Sequence, residues 1–160
     1  MNSQFQYSLD AGALISAHRH TYPFDMFGIW WSWIERVIAQ DKVFACEETF
    51  SEIRRGDFLY WWAQEEKRKN PDFVRKTGSA EIEKYERIIA SYPHLGATSE
   101  SLSMADIYII AHAWETRTTV VTEEKRTNNP QPKKIPDVSR ELNIECINLL
   151  DFMRREGASF

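Results

Sequence analysis

Short apolar runs alternate with longer stretches of helical periodicity along this chain. Gln6 to Leu9 reads as a strand ending at Asp10, followed by the small residues Ala11, Gly12 and Ala13. A helix is expected from Ala13 toward His20, and Pro23 breaks it, because the residue before a proline is pushed toward an extended conformation. From Met26 to Ala39 the apolar positions Phe27, Trp30, Trp31, Ile34, Val37 and Ile38 recur at helical spacing. Lys42 to Cys46 is a short buried strand in pattern. A helix from Glu47 through Arg54 follows, stopped by Gly56, and Asp57 caps another running to Lys69. Ser79 opens a polar helix to Ser91, and Ser103 to Trp114 is a strongly apolar one. Thr119 to Thr122 is β-branched throughout, hence a strand. Asn128 to Pro132 has loop composition, and Ile135 to Leu142 reads as a short helix with Pro136 in its first turn. Glu145 to Ile147 is a strand candidate and Leu149 to Glu156 a terminal helix. Strands alternating with helices predict an α/β fold, a three-layer α/β/α sandwich around a mainly parallel central sheet.

With 160 residues, one domain over 1–160 is expected. Apolar residues at 42% and aromatics at 13% exclude a wholly disordered or low-complexity chain. No apolar run approaches the ~18 residues of a membrane span, and the start MNSQFQYSLD lacks a signal-peptide pattern. Two cysteines in a chain of this length point to a reducing compartment, the cytoplasm, rather than a disulfide framework. Twenty basic residues against 24 acidic ones give a formal charge of −4, which makes a poor unaided clamp for nucleic acid. It does not exclude a nuclease whose metal site is itself built from carboxylates.

Four acids fall where strands end or helices begin. Asp10 ends the first strand, Glu52 lies on the helix after the second, Asp106 is in the first turn of the Ser103 helix, and Glu124 lies just past the Thr119 strand. In open parallel sheets the carboxyl ends of the strands define the crevice where ligands bind. Carboxylates converging there need a cation, since neighbouring like charges cannot all ionise cheaply. Hard oxygen ligands with room for water suit Mg²⁺ or Mn²⁺ rather than zinc. Each acid also has a local use. Ser103-Met-Ala-Asp106 has the spacing of a capping box, Asp10 can cap a helix, and Glu47 and Glu48 suit a helix N-terminus, with Glu48 and Glu52 on one helical face.

The segments YSLDAGALISA, ETFSEI, SMADIYIIAHA and VVTEEK, in that order, resemble the four acidic motifs of PIN-domain ribonucleases. The likeness is nearest to a VapC-like toxin branch formerly described as a domain of unknown function. That branch has a Tyr-Pro-Phe segment and an Ile-Pro-Asp-Val segment, matched here by Tyr22 to Phe24 and Ile135 to Val138. The resemblance implies a PIN-like fold and a metal-dependent endoribonuclease, the toxin of a toxin–antitoxin pair. It implies Asp10, Glu52, Asp106 and Glu124 as the metal-binding and catalytic acids, with one or two Mg²⁺ or Mn²⁺ ions. Either Glu123 or Glu124 is the fourth acid, and the spacing from Thr122 favours Glu124; Thr122 itself is a candidate for orienting an acid through its hydroxyl. Two departures stand out: Ala11 replaces the small hydroxyl residue that often follows the first Asp, and Glu124 stands where Asp is common.

Lys125 and Arg126, directly after the fourth acid, are candidate phosphate contacts for an RNA substrate. His18, His20, His94 and His112 lack metal-ligand spacing with one another and with Cys46 and Cys146, so His112 reads as an ordinary core or surface histidine and the cysteines as small hydrophobes. Among six Trp, the consecutive pair Trp30 and Trp31 cannot point both rings into one core. Trp30, Trp31 and Trp33 are therefore expected to offer an exposed surface for a homodimer or antitoxin contact. Two other classes fit the same residues: a catalytically silent PIN-like scaffold that binds a partner through this Trp-rich surface, and a carboxylate-metal DNA nuclease or phosphatase.

Overall fold

Five short parallel strands form one sheet, in the order β3-β2-β1-β4-β5, in the computed structural model, which describes residues 5–95, 102–127 and 133–160. The strands are β1 (Tyr7–Leu9), β2 (Val43–Cys46), β3 (Val74–Arg75), β4 (Thr119–Val121) and β5 (Cys146–Ile147). The helices are α1 (Ala11–Ser16), α2 (Gly28–Ala39), α3 (Glu47–Phe50), α4 (Phe58–Lys69), α5 (Ser79–Ser91), α6 (Met104–Thr116), α7 (Ile135–Glu141) and α8 (Leu149–Arg155). Asn128 to Pro132, expected as a loop, lies outside the described residues.

Alternate residues of each strand feed opposite faces of the sheet. Leu9, Val43, Ala45 and Val121 join a core with α1, α2, α4 and α8, whereas Cys46 and Val120 join a second core with α5, α6 and α7. The result is the three-layer α/β/α sandwich expected from the alternation of strands and helices. Strand β3, at the sheet edge, was not legible in the sequence: it is only Val74–Arg75, too short for periodicity to register.

Two segments depart from expectation. The helix expected from Glu47 through Arg54 is a single turn, α3, followed by turns over 51–53. Glu48 and Glu52 therefore do not share a helical face. The second departure concerns the tryptophans: Trp30, Trp31 and Trp33 are 0%, 2% and 5% exposed, so they form no docking surface. Helix α2 is embedded on two sides, which is how consecutive rings are both buried. Trp30 stacks on Tyr22 and donates its indole N–H to Met153 Sδ of α8 at 3.3 Å. Trp31 stacks on Phe24, donates to the Tyr22 carbonyl at 2.7 Å and meets Trp62 of α4 edge-on. Trp33 packs on Phe152. The Tyr22-Pro23-Phe24 segment thus folds over α2, and its two rings cover the two indoles.

Truncating a ring of this layer should cost what other buried aromatics cost. Trp31→Ala is expected to lose about 3–5 kcal/mol in urea unfolding. Trp61→Ala, at 62% exposure, should stay within about 0.5 kcal/mol of wild type.

Candidate functional site

Strand order reverses at β1: the chain moves outward through β2 and β3 on one side, then returns to place β4 and β5 on the other. The carboxyl end of β1, between β2 and β4, is therefore the topological switch point, where open α/β sheets form ligand crevices. Asp10 sits there. Its backbone N–H donates to the Val121 carbonyl at 2.9 Å, which seats it beside the end of β4.

The Asp10 side chain is buried, at 4% exposure, and both oxygens are held. Oδ1 accepts from the Gly12 N–H at 3.0 Å, capping α1, and Oδ2 accepts from the Thr122 hydroxyl at 2.9 Å. The Thr122 hydroxyl also accepts the Glu124 N–H at 3.1 Å, so one side chain orients Asp10 and the backbone leading to Glu124. Because Gly12 lacks a Cβ, its backbone can lie against the Asp10 carboxylate; a Cβ there would lie 3.1 Å from Oδ2.

Asp106 arrives from the first turn of α6. Ser103 Oγ accepts the Asp106 N–H at 3.2 Å, and Asp106 Oδ2 accepts the Ser103 N–H at 2.8 Å, a complete capping box. The local reading of this acid is correct, and it is not the whole account. One oxygen each of Asp10, Glu52 and Asp106 lies within 4.8 Å of the other two. Glu52 reaches this group from the turn after α3 rather than from a helix. Glu124 lies outside this group of three. It is half-buried beside it, its Oε2 accepting the Ile135 N–H at 2.9 Å at the start of α7. Glu123 points elsewhere: its Oε1 accepts the Leu149 N–H at 2.7 Å and holds the start of α8.

Burial and mutual repulsion raise the proton affinity of these acids. Asp10 is pushed up to about 6, by burial first and then by Asp106 and Glu124, against the two hydrogen bonds that lower it. Glu52, the most exposed of the three, is pushed up to about 7 by desolvation of its carboxyl end, then by Asp106 and Asp10. Glu124 is also raised, by burial and Asp106. Three oxygen donors that close together, one buried and one open to water, fit a hard divalent cation. The ion would offset the repulsion that raises their pKa values.

A groove of about 660 Å³ adjoins the acids at the carboxyl ends of β4 and β5, lined by Thr122, Glu124, Lys125, Arg126, Arg140 and Asn148 among others. It meets the acid cluster through Thr122 and Glu124 and does not contain Asp10, Glu52 or Asp106. Lys125 and Arg126 are exposed on its wall. Arg140 is a further cation at this groove that sequence reasoning missed, since nothing in its spacing ties it to the acids.

The raised carboxyl pKa values set a direction for stability. In the folded state Asp10 and Glu52 hold protons more tightly than ordinary carboxyls near pH 4 do. Their protonated forms favour folding at low pH, and that contribution is lost as pH rises through about 6 and 7. Without divalent metal, the fold should therefore weaken between about pH 4 and pH 7, with Asp10 contributing on the order of 2–3 kcal/mol. Asp10→Asn, which keeps one oxygen acceptor, should flatten that slope and melt no lower than wild type at pH 8. Melting curves in EDTA across this range measure it.

No curated protein matches the chain. Solved structures share its fold at low identity. The chain is 13% identical to a chain of VapBC2 from Rickettsia felis, solved bound to a DNA fragment from their promoter, with a TM-score of 0.52 and coverage of 89% of this chain and 97% of that one. It is 16% identical to a chain of FitAcB from Neisseria gonorrhoeae, with a TM-score of 0.54 and coverage of 89% and 97%. It is 14% identical to a chain of DNA-bound VapBC from Salmonella typhimurium, with a TM-score of 0.54 and coverage of 90% and 98%. These likenesses show that the α/β fold of this chain is shared with those solved chains. Residues 7–160 match the family model described as Domain of unknown function (DUF4411), and the chain belongs to that family.

Proposed function

We propose that this protein is a divalent-metal-dependent endoribonuclease and the toxin of a toxin–antitoxin pair. One observation carries the reading: Asp10, Glu52 and Asp106 bring carboxylate oxygens within 4.8 Å of one another at the switch point of a VapC-type fold. The PIN-domain wording of the four acidic segments supports it. Asp10, Glu52 and Asp106 would hold Mg²⁺ or Mn²⁺, with Glu124 beside them as the fourth acid. When bound, such an ion activates water at neutral pH and neutralises charge developing on a phosphate.

The protein's own groups do the positioning. Thr122 and the Gly12 N–H hold both oxygens of Asp10, so this carboxylate keeps its orientation with no reorganisation during the reaction. The capping box holds Asp106 in the same way. Lys125, Arg126 and Arg140 line the adjoining groove, where they offer cations to an RNA backbone running past the acids. This local positive charge is what lets a chain of net −4 engage RNA. An antitoxin would neutralise the enzyme by covering the acids or placing a cation among them. A silent scaffold binding through Trp30, Trp31 and Trp33 loses its surface, because those rings are buried.

Incubation with RNA and with DNA, in Mn²⁺ and then EDTA, tests the proposal. Wild type should cleave RNA only with metal, and Asp10→Asn should lose cleavage by orders of magnitude while remaining folded. Full activity in Asp10→Asn refutes the assignment of the site, and cleavage of DNA alone refutes the ribonuclease reading. Removing the orienting hydroxyl with Thr122→Val should cost about 10–100-fold in activity or metal affinity. In calorimetry, a hundredfold excess of Mn²⁺ over its dissociation constant should add about 2.7 kcal/mol of stability to wild type and less to Asp10→Asn.

A further inference from the structure

A second cluster of metal-ligating side chains shares helix α6 with the three acids and none of their residues. Cys46 ends β2, Glu48 lies in α3, and His112 lies further along α6 than Asp106. A thiol sulfur, a carboxylate oxygen and a ring nitrogen from these three residues lie within 4.8 Å of one another. Cys46 and His112 are fully buried, and Glu48 is half-buried at the solvent side.

Two acceptors beside this cluster, His112 Nδ1 and Glu48 Oε2, are buried with no hydrogen-bond partner, while the Cys46 thiol lies 3.3 Å from the Thr49 hydroxyl, which donates to the Cys46 carbonyl. Thr77 Oγ1 donates its one proton to Glu48 Oε1 at 2.5 Å. It also lies 2.9 Å from His112 Nε2, where it can then only accept, so Nε2 carries the ring proton. That leaves His112 Nδ1 bare, with no hydrogen-bond partner, facing Glu81 Oε1 at 4.0 Å. Glu48 Oε2 is likewise buried without a partner. Burial lowers the His112 pKa, so a second ring proton is disfavoured. Arg75 lies 3.7 Å from Glu81 and compensates that carboxylate, but Glu48 has no cation paired with it among the described residues.

A cation bound by Cys46 Sγ, whose thiol proton is released to solvent on binding, by Glu48 and by His112 Nε2 pairs the Glu48 carboxylate and frees the ring proton for Nδ1. The ring proton then moves to Nδ1 and points at Glu81, the carboxylate–histidine–metal arrangement in which a buried acid fixes the tautomer. We propose that Cys46, Glu48 and His112 form a second metal site, for a borderline-soft divalent ion such as zinc, with Glu81 as the residue that positions His112. Sulfur and imidazole donors select zinc over magnesium. Tetrahedral bonds of about 2.0–2.3 Å place ligand atoms roughly 3.3–3.8 Å apart, so the three groups need to close by only about an ångström. Three protein ligands leave a fourth position toward half-exposed Thr77 and solvent. The site ties the end of β2 and α3 to α6, the helix whose first turn carries Asp106, and it does not depend on the nuclease reading.

Cobalt(II) titration of the full chain tests it, because Co²⁺ bound to a thiolate shows a ligand-to-metal charge-transfer band that a carboxylate site lacks. Wild type should take up one Co²⁺ with that band, and Zn²⁺ should bleach it. Asp10→Asn and Cys146→Ser should keep the band, Cys46→Ser should lose it, and Glu81→Gln should bind about 10–100-fold more weakly. A wild-type chain that shows no thiolate band, or a band that survives Cys46→Ser, overturns the proposal. Should Cys46→Ser fail to fold, His112→Gln decides: unchanged Co²⁺ affinity in that variant overturns the site.

Discussion

The hydrogen bond from the Thr122 hydroxyl to Asp10 Oδ2 crosses the one place in the sheet where strand order reverses. It joins the end of β1 to the end of β4, and it holds in place a carboxylate that burial drives toward its protonated form. Asp106 and Glu52 are brought toward this fixed oxygen pair from other elements, and each raises the cost of ionising the others. The crevice is thus a concentration of unfavourable electrostatics, of the kind that binding sites carry at a cost in stability.

Such a site needs a rigid frame, and the two cores supply it from opposite faces. On one face α2 is sandwiched between α8 and the Tyr22-Pro23-Phe24 segment, its indoles interleaved with Tyr22, Phe24, Trp62 and Phe152. On the other, α6 runs under β4 with Ile107, Ile109, Ile110, Ala111 and Ala113 buried. Between Asp106 in its first turn and Glu115 near its end, α6 is largely apolar, and His112 is the buried polar side chain of that stretch, within reach of Cys46 at the end of β2.

Helix α6 thus carries one member of each of two donor sets of different chemistry. Asp10, Glu52 and Asp106 contribute oxygen alone, whereas Cys46, Glu48 and His112 combine sulfur, oxygen and nitrogen. Because α3 is one turn long, Glu48 and Glu52 part company and serve different neighbours. Had the helix continued to Arg54, both acids would lie on one stripe and one of the two clusters would lose its carboxylate.

The sequence by itself determined the alternation of elements, the helix caps at Asp10, Asp57 and Ser103, and the placement of acids at the ends of strands. These follow from nearest-neighbour chemistry: periodicity, capping and β-branching act over a few residues and leave a local pattern. The capping box at Ser103 and Asp106 was legible in the same residues that carry the motif wording. Only the tertiary structure decided which acids meet. Asp10, Glu52 and Asp106 converge while Glu124 stands beside them and Glu123 turns away, because strand register and the turn after α3 set where each carboxylate points. Only tertiary structure, too, buried Trp30, Trp31 and Trp33, by covering α2 on a second side that helical spacing cannot reveal. It alone brought Cys46 to His112, a pair with no ligand spacing in the chain, because α6 packs across the face of the sheet onto which Cys46 projects.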